Sequence, residues 1–274
     1  KASRATIISK ISSNEMDAYL LSESSLFVWD DRILMITCGR TTLIEVLPEI
    51  LNIVDKNNVA FLFYERKNFL FPKEQPSSFE DDVDFMVKYF PGKFYKLGPV
   101  NDDHVNVFYS SHANATAAQD STLQLLMHRL DSAAMNFFCE PYVTTPAQAE
   151  KFSGVDKICD WMMKDSFLFS PCGYSLNGIS DIRYFTIHVT PEPGGSYASF
   201  ETNIIEKDYS KLIKDVISVF KPEKFSLVFT TNINKECLSL HSDVANAVPG
   251  YRVTDKTLYE FDCGYSVSFL NYVH

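Results

Sequence analysis

A chain of 274 residues, 46% hydrophobic and 22% charged, carries enough apolar material for a large core, which excludes a disordered protein. The formal net charge is -10, and the dispersed basic residues form no basic run or RNP-like aromatic motif, so nucleic-acid binding is not expected. No stretch approaches the ~18 apolar residues of a membrane helix, and the opening KASRATIISK lacks the apolar core of a secretory signal, so no membrane partner is expected either.

In chain order, residues 5–10, 18–28 and 32–37 read as strands, rich in Ile, Leu, Tyr and Phe. Within 18–28 the polar cluster Ser22-Glu23-Ser24-Ser25 interrupts two apolar runs, and local chemistry alone reads it as a turn. Residues 42–54 have helical spacing, with Leu43, Val46, Leu47, Ile50, Leu51 and Val54 on one face; Pro48 kinks this helix or marks its first turn. Residues 59–64 return to strand, and 80–89 and 122–138 read as helices. Strands follow at 184–189 and 197–201, then an amphipathic helix at 209–220 with Leu212, Ile213, Val216, Ile217 and Phe220 on one face, then a strand at 225–230. Both halves run strand, strand, helix, strand. The pattern predicts a duplicated unit in which helices cover the outer faces of sheets that pack together.

Six cysteines, Cys38, Cys139, Cys159, Cys172, Cys237 and Cys263, are scattered without a CxxC pair. Zinc and thioredoxin-like chemistry are disfavoured, and a reducing, cytoplasmic setting is expected. The histidines show no HxH or HExxH spacing, and there is no glycine-rich phosphate loop, so no metal is expected.

Four stretches could carry chemistry: Ser22 to Ser25, Thr37-Cys38-Gly39, FSPCGYSLNG at 169–178 and TIHVTPEP at 186–193. Each also has a plain structural reading. Cys38 could be a small buried side chain, His188 a core histidine, and CGYS a turn into a strand, the more so because CGYS recurs at 263–266. A Ser175–His188 hydrolase lacks the GxSxG elbow and an orienting acid.

Taken together and in order, YLLSESSLFV, ITCG, PCGYSLNG, TIHVTPEP and SFETN resemble the eukaryotic pyruvoyl-dependent S-adenosylmethionine decarboxylases over essentially the whole chain. The resemblance implies an α+β fold: a four-layer αββα sandwich of two antiparallel sheets, as a single domain over 1–274. It implies self-cleavage between Glu23 and Ser24 into a β chain, 1–23, and an α chain, 24–274. Ser24 would become a covalent pyruvoyl group, the cofactor that forms a Schiff base with S-adenosylmethionine and accepts electrons when CO2 leaves. His188 would take the α-proton during processing, Ser175 would assist it, and Cys38 would return a proton to the decarboxylated carbon. Phe169 would stack on adenine, Glu192 would accept the ribose hydroxyls, and Leu21 and Glu23 would line the site. The product would be the aminopropyl donor of spermidine and spermine biosynthesis.

There are departures from that family. Its N-terminal Phe-Glu-Gly segment lies before the start of this chain, which begins without Met. Asp120, Thr122 and Glu201 match an acidic cluster that binds a diamine in animal members, yet Gln124 stands where a Glu is expected and Ile36 where a Lys is expected. Those two changes argue against putrescine activation. The rival reading is a catalytically weak or inactive paralogue that regulates a partner decarboxylase by heterodimerisation; a homodimer is the other assembly the resemblance allows.

Overall fold

The structure is a computed structural model, and it describes residues 5–37, 41–69, 72–112, 120–192, 194–232, 241 and 248–274. The chain begins with a four-stranded meander, β1 (Ile7–Ser12), β2 (Met16–Leu21), β3 (Ser24–Trp29) and β4 (Ile33–Thr37). Residues 18–28 are therefore two strands. Ser22 and Glu23 reverse the chain, so that Leu20 pairs with Ser25 and Ala18 with Phe27. A second small sheet has the order β5-β7-β6, from β5 (Phe61–Lys67), β6 (Lys93–Leu97) and β7 (Val105–Ser111).

The third sheet has eight strands: β8 (Ser121–His128), β9 (Met163–Leu168), β10 (Tyr174–Ser180), β11 (Arg183–Thr190), β12 (Tyr197–Thr202), β13 (Lys224–Asn232), β14 (Arg252–Glu260) and β15 (Tyr265–Val273). Their order is β14-β15-β13-β8-β12-β11-β10-β9, and every pairing is antiparallel. The helices wholly within the described residues are α1 (Val46–Leu51), α2 (Phe79–Met86), α3 (Ser132–Met135), α4 (Pro146–Ser153) and α5 (Ser210–Phe220).

Side-chain alternation builds the layers. One face of the large sheet, with Leu125, Phe185, Phe200 and Leu227, packs on Ile213, Val216 and Phe220 of α5 and on Ala149 of α4. On its other face Leu126, Val228, Val267 and Phe269 meet Val105, Val107 and Tyr109 of β7. Further along that face, Ile179 and Tyr184 meet Ala18, Phe27 and Trp29 of the meander. Phe108 points outward from β7 and is covered by Leu47 of α1 and by Val83 and Met86 of α2. The result is the expected αββα arrangement, with the second β layer divided into a four-stranded and a three-stranded sheet.

Three sequence expectations need correction or refinement. Residues 122–138 are not one helix: they form β8, then α3 and a short 3-10 turn. β8 is central and covered on both faces, so Leu125, Leu126 and Met127 are consecutive and buried, and the alternation that marks a half-exposed strand is lost. Residues 42–54 shorten to a 3-10 turn at Leu43–Glu45 and the six-residue α1, with Pro48 inside its first turn, where a backbone N–H has no helical partner to lose. The two CGYS copies mark strand starts: Tyr174 opens β10 and Tyr265 opens β15, each after a glycine with positive φ, Gly173 at 128° and Gly264 at 92°.

Candidate active site

Alternation along β10 and β11 sorts their side chains. Tyr174 and Leu176, with Phe185 and Ile187, enter the core beneath the helices. Ser175, Asn177, Thr186 and His188 therefore face the other way, toward the meander, and all four are buried. Ser175 and His188 are register partners, with Ser175 Oγ 2.9 Å from His188 Nδ1.

β3 closes the space from above. Ser25 Oγ lies 3.0 Å from His188 Nε2, 2.7 Å from Asn177 Oδ1 and 3.2 Å from Thr186 Oγ1. The imidazole is thus held between two serine hydroxyls contributed by different sheets. Burial pushes its pKa down to about 4, so it is neutral at pH 7. Ser24, one residue before Ser25, is fully buried, and its Oγ has no hydrogen-bond partner among the described residues. Glu23 is exposed in the turn and Leu21 is buried at the end of β2. The structure thus brings Ser24, Ser175 and His188 into one region. Cys38 lies outside the described residues.

Phe169 is half-buried beside the same strand starts. Its N–H donates to the Gly173 carbonyl at 2.8 Å, and its ring meets Phe167 edge-on at 4.8 Å between centroids. The loop it begins is tethered by a disulfide between Cys139 and Cys172, across a bridge in which Gly173 N–H donates to Phe138 O. Sequence spacing had left these two cysteines as scattered thiols. They lie 33 residues apart and meet only because the segment after α3 returns beside β10. Glu192 is exposed just past β11.

The residues matched to the acidic cluster gather around the hydroxyls of Tyr265 and Tyr184, and the Asp120 charge reaches the second as well. Asp120 is paired with Arg32, 3.4 Å away, and accepts from the Tyr265 hydroxyl at 3.1 Å. Glu201 accepts from the Tyr184 hydroxyl at 2.6 Å, and Thr122 stands beside that hydroxyl. Sequence reading missed Glu65, which projects from β5 between the sheets, lies beside Gln124 and leaves Oε2 buried without a partner among the described residues. A carboxylate is thus present near Gln124 after all, delivered by a different strand. The alternation of Phe61, Phe63 and Glu65 on one face of β5 was the available signal. Ser25, Asn177 and Thr186 were missed too, although all three stand inside the singled-out stretches.

Among the described residues no group of three or more His, Cys, Asp or Glu could hold a metal ion, and no helix is long and apolar enough to cross a membrane. Fold and site together define an α+β two-sheet sandwich with a buried hydroxyl–imidazole–hydroxyl line between its sheets. The adenosylmethionine decarboxylase family model matches residues 1–273, and the chain belongs to that family, whose members are carboxy-lyases. S-adenosylmethionine decarboxylase proenzymes are similar to it. That of Dictyostelium discoideum is 36% identical over 99% of this chain and 73% of its own length. That of Xenopus laevis is 36% identical over 93% and 79%, and that of Drosophila melanogaster 39% over 82% and 71%. The crystal structure of the Trypanosoma brucei AdoMetDC-delta26 monomer superposes with a TM-score of 0.72 at 30% identity, covering 90% of this chain and 98% of that one.

Proposed function

We propose that this chain is a self-processing decarboxylase acting on S-adenosylmethionine to make the aminopropyl donor for spermidine and spermine. The observation that carries the reading is Ser24. A buried hydroxyl without a partner costs about 1–3 kcal/mol, and this one follows the Glu23 carbonyl in the chain and belongs to the residue next to Ser25, which bonds to His188. Such an orphaned hydroxyl fits the precursor of a pyruvoyl group, because it is committed to no other bond and its target is the preceding carbonyl.

The Ser24 hydroxyl would attack the Glu23 carbonyl carbon. The C–N bond breaks, an ester to Oγ forms, and the amine of residue 24 is freed. Neutral His188 is the base for the α-hydrogen of residue 24. The electron pair of that C–H bond forms a Cα–Cβ double bond, the Cβ–Oγ bond breaks, and Glu23 leaves as a carboxylate ending chain 1–23. Water then hydrolyses the enamine's imine tautomer and releases ammonia, so that 24–274 begins with a ketone.

Once present, that carbonyl supplies the electron sink for the pair left when CO2 departs. We assign the remaining work to the chain's own side chains. Phe169, fixed by its loop, stacks on adenine; Glu192 accepts the ribose hydroxyls; Leu21 and Glu23 border the reacting centre; Cys38 returns the proton. Asp120, Thr122 and Glu201 are assigned a supporting charged site between the sheets, without putrescine as its activator.

Intact mass under denaturing conditions tests the reading. Two fragments divided after Glu23 are expected, the larger with a blocked amino terminus and lighter by one ammonia than residues 24–274 beginning with free serine. A chain that stays whole after prolonged incubation would overturn it.

A further inference from the structure

The hydrogen bonds around His188 determine which of its two nitrogens carries the proton, and the chain of bonds begins at Tyr19. The Tyr19 carbonyl can only accept, and Asn177 Nδ2 donates to it at 3.2 Å. The amide is therefore oriented with Oδ1 toward Ser25 and Thr186, where it can only accept. Ser25 has one hydrogen and three neighbours: Asn177 Oδ1 at 2.7 Å, His188 Nε2 at 3.0 Å and Thr186 Oγ1 at 3.2 Å.

If Ser25 gave its hydrogen to Nε2, two oxygens 2.7 Å apart would face each other, Ser25 Oγ against Asn177 Oδ1, with no hydrogen between them. All these groups are buried, so no water relieves that contact. Giving the hydrogen to Asn177 removes the conflict. Nε2 must then bring its own hydrogen, shared between Ser25 Oγ and Thr186 Oγ1, the latter 3.3 Å away. Thr186 donates to Asn177 Oδ1 at 2.9 Å or to the Leu176 carbonyl at 3.1 Å, so every hydrogen in the group has an acceptor. Nδ1 is left bare and accepts the hydroxyl hydrogen of Ser175.

We propose that Asn177 and Ser25 are positioning residues that lock His188 as the Nε2–H tautomer and so present Nδ1, on the Ser175 side, as the basic lone pair for self-processing. This rests on the processing role given to His188 above. The carbonyl of Asn177 acts through Ser25, and neither side chain needs to touch the reacting atoms. Thr186 is the second acceptor for Nε2–H and limits rotation of the ring.

The test reads the tautomer and the cleavage separately. In the uncut Ser24→Ala chain, labelled with 15N-histidine and assigned by comparison with His188→Gln, the His188 signals should show a protonated, pyrrole-type Nε2 and a bare, pyridine-type Nδ1. The reverse pattern would overturn the proposal, whether or not the native chain cleaves. Adding Asn177→Ala should mix or reverse the pattern, whereas Ser25→Thr, which keeps the hydroxyl, should preserve it. With native Ser24, Asn177→Ala should slow self-cleavage by about 100-fold or more, and Asn177→Asp, which keeps the acceptor, should recover most of that loss. Native-rate cleavage in a folded Asn177→Ala chain would also overturn the proposal. If Asn177→Ala does not fold, Ser25→Ala against Ser25→Thr gives the same comparison. A native chain that never cleaves while its Ser24→Ala counterpart shows Nε2–H would leave the tautomer assignment standing and remove the processing reading alone.

Discussion

Glu65 on β5 and Glu201 on β12 come from facing sheets and share a poorly hydrated space between them. Burial first, and the Glu201 charge second, push the Glu65 carboxyl up to about 8, while burial pushes Glu201 up to about 7. Both raised values mean that the folded chain holds protons the unfolded chain releases near pH 4.5. Their favourable contribution is complete below about pH 4.5 and is lost as pH rises through 7 and 8. Thermal stability should therefore fall from pH 5 to pH 9, and Glu65→Gln should flatten that decline and raise stability at pH 9 by on the order of 3 kcal/mol. Equal slopes for native and variant chains in pH-dependent melting would contradict this.

His188 has the opposite sign. Its folded pKa of about 4 lies below the usual histidine value of 6.5, so the unfolded chain binds the extra proton first. The stability it contributes is present above pH 6.5 and is lost as pH falls toward 4. With His188 as the proposed base, self-cleavage would need the neutral ring, so its rate should hold level from neutral pH down to about 5 and drop only near 4. An acid limb centred at 6.5 in a pH–rate series would show an exposed histidine and count against the site as drawn.

The Cys139–Cys172 bond closes a loop of 33 residues and holds the segment that carries Phe169. By chain entropy, its loss should cost about 3–4 kcal/mol. Cys172→Ser should lower the melting temperature and, with Phe169 in its proposed adenine-stacking role, raise KM for S-adenosylmethionine several-fold with kcat less affected. Steady-state kinetics with and without a dithiol reductant checks this, and an unchanged KM in both comparisons would separate the disulfide from the site.

Gly178 pairs with Phe185 across β10 and β11, and a Cβ there would stand 1.9 Å from Phe185 Cε1. Both strands carry the hydroxyl–imidazole line, so Gly178→Ala should displace Phe185 and cost about 1–3 kcal/mol or more, with slower cleavage as a consequence. Denaturant titration measures the first effect and band densitometry over time the second. Native stability in the variant would mean that the strands separate more easily than this contact allows.

How much of this was legible beforehand depended on what each residue faces. α5 was readable because one of its sides is wet, so its apolar stripe stood out; it was expected at 209–220 and found at Ser210–Phe220. β8 was read as helix because both its sides are dry, which removes the contrast that periodicity depends on. Ser175 and His188 could be singled out from their motifs. Their meeting could not, since register pairing between β10 and β11 is a property of the sheet.

By itself the sequence determined the family, through the order of its motifs, and the alternation that places Ser175 and Asn177 on one face of β10 and Thr186 and His188 on one face of β11. Only the tertiary structure decided that Ser25 is the hydroxyl opposite Nε2, that Glu65 arrives beside Gln124, and that Cys139 meets Cys172. Alternation within a strand states which way a side chain points, because it is local geometry. What stands opposite is contributed by a segment dozens to more than a hundred residues away, and that is settled by how the sheets pack.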